Sequence, residues 1–199
     1  MSFNQHFNQQ LIAGQIGEGY IAKWLRHLGW NVLPVYEKEI HEGKGPRLFM
    51  AELSPYKDLI APDLFAIKGK KFTWIEAKRK TRFSWYGKSG YWVTGIDKRH
   101  FNDYVLVQSE TNITVWLMFL HIESKTWPED IMKWNAPPTC PTGLFGNEIS
   151  HLTGCVSHES NKYGSSGMIY WNIKDLKLLA ELHQVIPKQT TSATPVFEY

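Results

Sequence analysis

The stretch Ile113–Ile122, ITVWLMFLHI, constrains this chain more than any other. Its ten almost unbroken apolar and β-branched residues are about half of what a membrane-spanning helix needs. A strand sends alternate side chains to opposite faces, so an uninterrupted apolar run predicts a strand covered on both sides. Something must then pack above it and below it. An amphipathic helix over residues 8–29 is one such layer: Ile12, Ile16, Tyr20, Trp24 and Leu28 recur every four residues, and Leu11, Ile21 and Leu25 widen the stripe. Gly29 stands where a left-handed C-cap would end it.

The remaining elements follow in order. WNVLPVYE reads as a short strand whose proline suits an edge or a bulge. Residues 38–60 are turn-rich and receive no assignment. Asp63–Ile67 and Lys71–Lys78 read as two strands of a hairpin. IDKRHFNDYVLVQSE fits a helix, or a helix running into a strand. Residues 126–167, rich in Pro, Gly, Asn and Ser, read as a long loop-rich insertion. GMIYWNI returns to strand and IKDLKLLAELHQVI reads as an amphipathic helix. The expectation is a mixed α/β sandwich, helices flanking a central sheet, in one domain over 1–187 with a loose tail over 188–199. No internal repeat is present. Two cysteines make no disulfide framework, and MSFNQHFNQQ has neither the basic nor the apolar region of a secretory signal, so a cytoplasmic, reducing setting is expected.

Net charge is only +3, but its distribution is uneven. From Lys68 to Lys88 eight basic residues (Lys68, Lys70, Lys71, Lys78, Arg79, Lys80, Arg82, Lys88) face one acid, Glu76. A local positive field of this kind suits a phosphate-binding face; it equally suits a solvated surface.

Within that band lies PDLFAIKGKKFTWIEAK, residues 62–78. Period two puts Phe72, Trp74, Glu76 and Lys78 on one face of the second strand. A carboxylate and an ammonium thus end an apolar row, where they need each other or a third partner. The hairpin can bring Asp63 within reach of Glu76. Two close carboxylates repel unless something positive lies between them, and Mg²⁺, a hard cation served by one or two carboxylates, fits. The plainer alternative is a structural ion pair, Lys78 neutralising Glu76. Spacing alone decides nothing, since Glu42-Gly43-Lys44 repeats it in a turn-rich stretch.

Pro62-Asp63, twelve residues, then Glu76-Ala77-Lys78 resembles the motif of the PD-(D/E)xK nuclease superfamily, the restriction-endonuclease-like fold. The resemblance covers mainly residues 8–120, in an arrangement like that of Holliday-junction resolvases. It implies a core of order α-β-β-β-α-β and hydrolysis of DNA phosphodiester bonds, likewise endonucleolytic, by Mg-activated water, with Mn²⁺ as a substitute. Asp63 and Glu76 would be metal ligands, the Ala77 carbonyl a further ligand, and Lys78 the catalytic lysine. Many members carry a glutamate on the first helix facing the site, and Glu18 matches that placement; Gly14, Gly17 and Gly19 around it would let the helix approach the sheet closely. Such proteins often dimerise to cut two strands, so a homodimer is implied, though no dimer face is legible. DNA is the expected polymer, with RNA left open. The alternative is a non-cutting nucleic-acid-binding module of the same fold in a phage, repair or defence complex.

Other residues invite separate readings. Lys70, Lys71, Arg79, Lys80, Arg82 and Lys88 are candidate phosphate contacts. Trp85 and Tyr86, in RFSWYGKSGYW, could stack on bases or simply pack, and Gly87 and Gly90 suggest a mobile loop at the mouth of the site. Cys140, His151, Cys155 and His158 could hold a zinc that staples the insertion, although their spacing fits no established zinc pattern; the alternative is ordinary thiols and surface histidines. His100 reads as a positional or exposed residue.

Overall fold

The computed structural model describes residues 3–35, 47–49 and 58–187. Helix α1 (Phe3–His27) leads into β1 (Asn31–Pro34) through Gly29, whose φ of +82° is the left-handed turn expected there. Then come β2 (Arg47–Phe49), β3 (Asp58–Ile60), β4 (Leu64–Lys68), β5 (Lys71–Lys80), β6 (Ser84–Tyr86), β7 (Tyr91–Asp97) and α2 (Lys98–Thr111). The chain continues through β8 (Val115–His121), α3 (Pro128–Trp134), β9 (Gly143–Glu148), α4 (Ile149–Thr153) and β10 (His158–Ser160). It ends with β11 (Met168–Asn172), a 3-10 turn at Ile173–Asp175, β12 (Lys177–Ala180) and α5 (Leu182–Val185).

Among the described residues the central sheet is mixed and six-stranded, in the order β1-β4-β5-β8-β9-β12. Among the described strands, β5 and β8 are the one parallel pair. A second, antiparallel sheet runs β10-β11-β7-β6, and β2 pairs with β3. The apolar run behaves as expected. Val115, Leu117 and Phe119 enter a core with Phe101, Tyr104 and Val107 of α2 and with Trp92, Ile96, Ile169 and Trp171 of the second sheet. Met118 and Leu120 enter the opposite core with Ile21 and Leu25 of α1 and Leu64, Ala66, Ile75 and Ala77 of the hairpin. Burying each such aliphatic side chain contributes roughly 1.5–3 kcal/mol, so covering both faces of β8 is a large part of what fixes its place in the sheet.

Several expectations need correction. Residues 126–167 are no plain loop: they hold α3, α4, β10 and β9, and β9 is an interior strand of the central sheet. Its glycines hid it. At Gly146 a Cβ would come within 2.5 Å of the Leu117 carbonyl, so the strand tolerates a residue with poor strand propensity where it runs against its neighbour. IKDLKLLAELHQVI is not one helix but the 3-10 turn, β12 and α5, because β12 satisfies its backbone on the open edge of β9. GMIYWNI is a strand, but of the second sheet. The segment around Gly87 and Gly90 is a hairpin turn closed by Gly90 N–H donating to Tyr86 O at 2.9 Å. Most of residues 38–60, Glu42-Gly43-Lys44 included, and the tail 188–199 lie outside the described residues.

Candidate functional site

The hairpin register positions the cluster. Leu64, the first residue of β4, pairs with Ile75, so the β4–β5 ladder gives the Ala77 N–H no partner on that side. The Asp63 Oδ2 accepts it at 3.0 Å. Asp63 is thereby drawn across the end of β4 to the strand that carries Glu76. Glu76 is wholly buried, and Lys78 ion-pairs with it while standing 3.8 Å from Asp63 Oδ2. Among the described residues no backbone N–H reaches the Glu76 oxygens, and Lys78 is the cation that compensates them. A fully desolvated carboxylate with only one ammonium to compensate it is costly, and it leaves coordination capacity open.

Burial, and next the Glu76 charge, push the Asp63 carboxyl up to about 7. Burial opposes charge on Lys78, but the Asp63 and Glu76 carboxylates outweigh it and hold that ammonium above its usual range. Glu18 is drawn into the same field: burial, and then Asp63, raise it to about 7. On the same face of β5, burial and the Lys78 charge bring Lys80 down to about 8. The donor set is hard oxygen from two adjacent carboxylates, which suits a divalent cation that keeps several waters. Among the described residues no three His, Cys, Asp or Glu side chains gather as a metal-holding group, so Glu18 stands near the pair without completing it.

Helix α2 closes the site from above. Its cap is Asp97, whose Oδ1 accepts the Arg99 N–H at 3.0 Å. Tyr104 is buried, and burial followed by the Glu76 and Asp63 charges drives its hydroxyl well above the usual value. His100, one turn earlier, is lowered by burial and then by Lys78. Tyr104 went unremarked in the sequence, yet a signal was there: His100 and Tyr104 are four apart, on one helical face.

The basic band splits. Lys70 and Lys71 lie at the hairpin turn, about five residues or roughly 16 Å along the strand from Glu76, and so away from the carboxylates. Arg79 faces the other side of β5, against α1 at Gly17, where any Cβ would collide with it. Gly17 is therefore the one of the three helical glycines that the close approach requires; nothing lies within 4 Å of Gly14 or Gly19. Lys80 keeps the Lys78 face. Arg82 pairs with Glu123 and lies over the Trp127 ring at 4.0 Å. Trp85 and Tyr86 belong to the second sheet, and Lys88 to its exposed turn.

The four candidate zinc ligands do not come together. The buried Cys140 thiol donates to Glu123 O at 3.3 Å, and Cys155 to His151 O at 3.2 Å. His158 is stacked between Tyr86 and Tyr170, at 3.8 and 4.6 Å. His151 is exposed at the end of α4. Among the described residues no helix is long and apolar enough to cross a membrane.

No family model matches the chain. No curated protein matches it either. Among solved structures, it is similar to the Holliday junction resolvase Hjc of Archaeoglobus fulgidus, with a TM-score of 0.40 and 11% identity over 78% of this chain and 86% of that one. That likeness is too loose to assign either fold or activity.

Proposed function

We propose that the protein is a magnesium-dependent deoxyribonuclease, cutting phosphodiester bonds endonucleolytically on a restriction-endonuclease-like core of order α-β-β-β-α-β. One observation carries the reading: the wholly buried Glu76 carboxylate lies beside Asp63, and Lys78 is, among the described residues, the one ammonium that reaches both. Asp63 and Glu76 would hold Mg²⁺, or Mn²⁺ in its place, with the Ala77 carbonyl as a further donor. The bound ion would supply activation of water and neutralisation of phosphate charge. In the metal-free site the Asp63 and Glu76 carboxylates hold the Lys78 ammonium above its usual range. Its role would be to offset charge building on the phosphate. Glu18, with a pKa of about 7, is suited to exchange a proton near neutrality. Lys80 and Arg82 would meet flanking phosphates, and a homodimer would allow both strands to be cut. The two free cysteines are at home in a reducing, cytoplasmic setting.

The test is conversion of supercoiled plasmid in Mg²⁺ by wild type, Asp63→Ala and Glu76→Ala, with an RNA duplex as a parallel substrate. Activity only in wild type supports the assignment, and equal activity in all three removes it. A second reading has its own observation. Lys78 already pairs with the buried Glu76, as it would in a module that binds nucleic acid without cutting it. Salt-dependent binding with no metal-dependent turnover would favour that reading.

A further inference from the structure

A second concavity, of about 460 Å³, opens between the edge of the second sheet and α3. Its lining is aromatic: Trp85, Trp127 and Tyr163, with Tyr86 and Tyr170 stacked on either side of His158. Trp127 and Tyr163 are 44% and 57% exposed, which is unusual for rings that a core could have used. Glu129 and Asp130 also line it, and Asp130 is held there by accepting the Trp85 N–H at 3.4 Å. The rim is cationic. The Lys162 ammonium lies over the Tyr163 ring at 5.4 Å, and the Lys88 charge adds to burial in lowering His158. Aromatic walls with acidic groups alone would suit an organic cation; two lysines at the mouth oppose one. Flat π faces, carboxylate acceptors and a cationic rim together suit a planar group with N–H donors on one edge and phosphates beside it.

One basic residue links the pocket's wall to the strand that carries Glu76. Lys78, Lys80 and Arg82 follow at every second residue from the site outward, and Arg82 lies over Trp127, a wall of the pocket. Lys78 and Lys80 share one face of β5 roughly 7 Å apart, about two steps of a stacked strand, and Arg82 follows two residues past the strand's end. We propose that this pocket receives one unpaired nucleobase, guanine in preference to thymine, from a strand whose phosphates run along Lys78, Lys80 and Arg82. Guanine offers a carboxylate two adjacent N–H donors, whereas thymine offers one, flanked by carbonyls that the carboxylate repels. The proposal rests on the nuclease reading only for the polymer's identity and for the direction of the strand, and it makes that enzyme's substrate a DNA with an unpaired base near the cut.

Binding is read with the full chain in EDTA, so that nothing is cleaved, by anisotropy of labelled hexathymidylate and of the same hexamer with one central guanine. The guanine hexamer should bind about tenfold more tightly. Glu129→Gln with Asp130→Asn should reduce that preference to about twofold or less. Tyr163→Ala, in an exposed loop and so safe for folding, should weaken both hexamers about fivefold by removing a stacking face. Equal binding of the two hexamers by wild type overturns the proposal. So does an unchanged affinity in Tyr163→Ala, or displacement of the guanine hexamer by tetramethylammonium and not by dGMP. A guanine preference without Mg²⁺-dependent cleavage would leave the pocket standing and remove the nuclease; cleavage without the preference would do the reverse.

Discussion

Two sets of residues offer themselves as cation sites, and the fold treats them differently. Glu76 and Lys78 lie on the second strand of a hairpin and Asp63 just before the first, where the register draws it across to the Ala77 N–H beside the buried Glu76. Cys140, His151, Cys155 and His158 lie within nineteen positions of one another in sequence, yet each is committed elsewhere: a carbonyl for each thiol, ring stacking for His158 and solvent for His151. Convergence follows from strand register and from which polar atoms the backbone leaves without partners. Closeness in sequence does not supply it.

The largest effect that would sharpen this contrast is on turnover. Asp63→Ala and Glu76→Ala should each lower Mg²⁺-dependent plasmid cleavage by about a thousandfold or more, while Cys155→Ser leaves the rate within about twofold. Comparable losses in both regions, measured by gel time courses, would break the comparison. Next comes stability. Lys78→Met leaves the buried Glu76 without its ammonium and should cost about 2–3 kcal/mol, less than for a fully buried pair because Lys78 is 31% exposed. Adding Glu76→Gln should recover most of that loss in urea melts. No recovery would mean that Lys78 stabilises by packing rather than by charge.

A smaller effect concerns pH. Asp63 is raised from an ordinary carboxylate value to about 7, so the native state holds a proton that the unfolded chain has released. Its contribution to metal-free stability is full below about pH 4 and is lost as pH rises through 7. A divalent cation must displace that proton, so Mg²⁺ should bind about tenfold more weakly at pH 6 than at pH 8, as read by its shift of the melting temperature. A shift that is the same at both pH values would place Mg²⁺ away from Asp63. The smallest effect belongs to the other region: a zinc-selective chelator should move the melting temperature by less than about 1 °C, and a large drop would restore the zinc reading.

What the sequence made legible follows the same line. The apolar run of β8 announced its two-sided burial, and the glycine turn between two apolar runs announced the β4–β5 hairpin; both signals are local and strong. That Asp63, Glu76 and Lys78 come together was legible because they lie on or beside that hairpin. β9 was not, because Gly143, Gly146 and Asn147 are chosen for backbone contact and side-chain bonding rather than for strand propensity: Asn147 Nδ2 donates to Asp175 O at 3.0 Å. β12 was lost for the opposite reason. KLLAEL favours a helix locally, and the open edge of β9 overrode it. His100 and Tyr104 share a helical face, but nothing in their spacing says that α2 lies over Glu76.

The most direct measurement is a crystal structure soaked in Mn²⁺, with the metal located by its anomalous signal. The account predicts one ion between Asp63 and Glu76, with Lys78 turned off Glu76 toward the phosphate side. Manganese bound only elsewhere, with the Lys78–Glu76 pair intact, would contradict it.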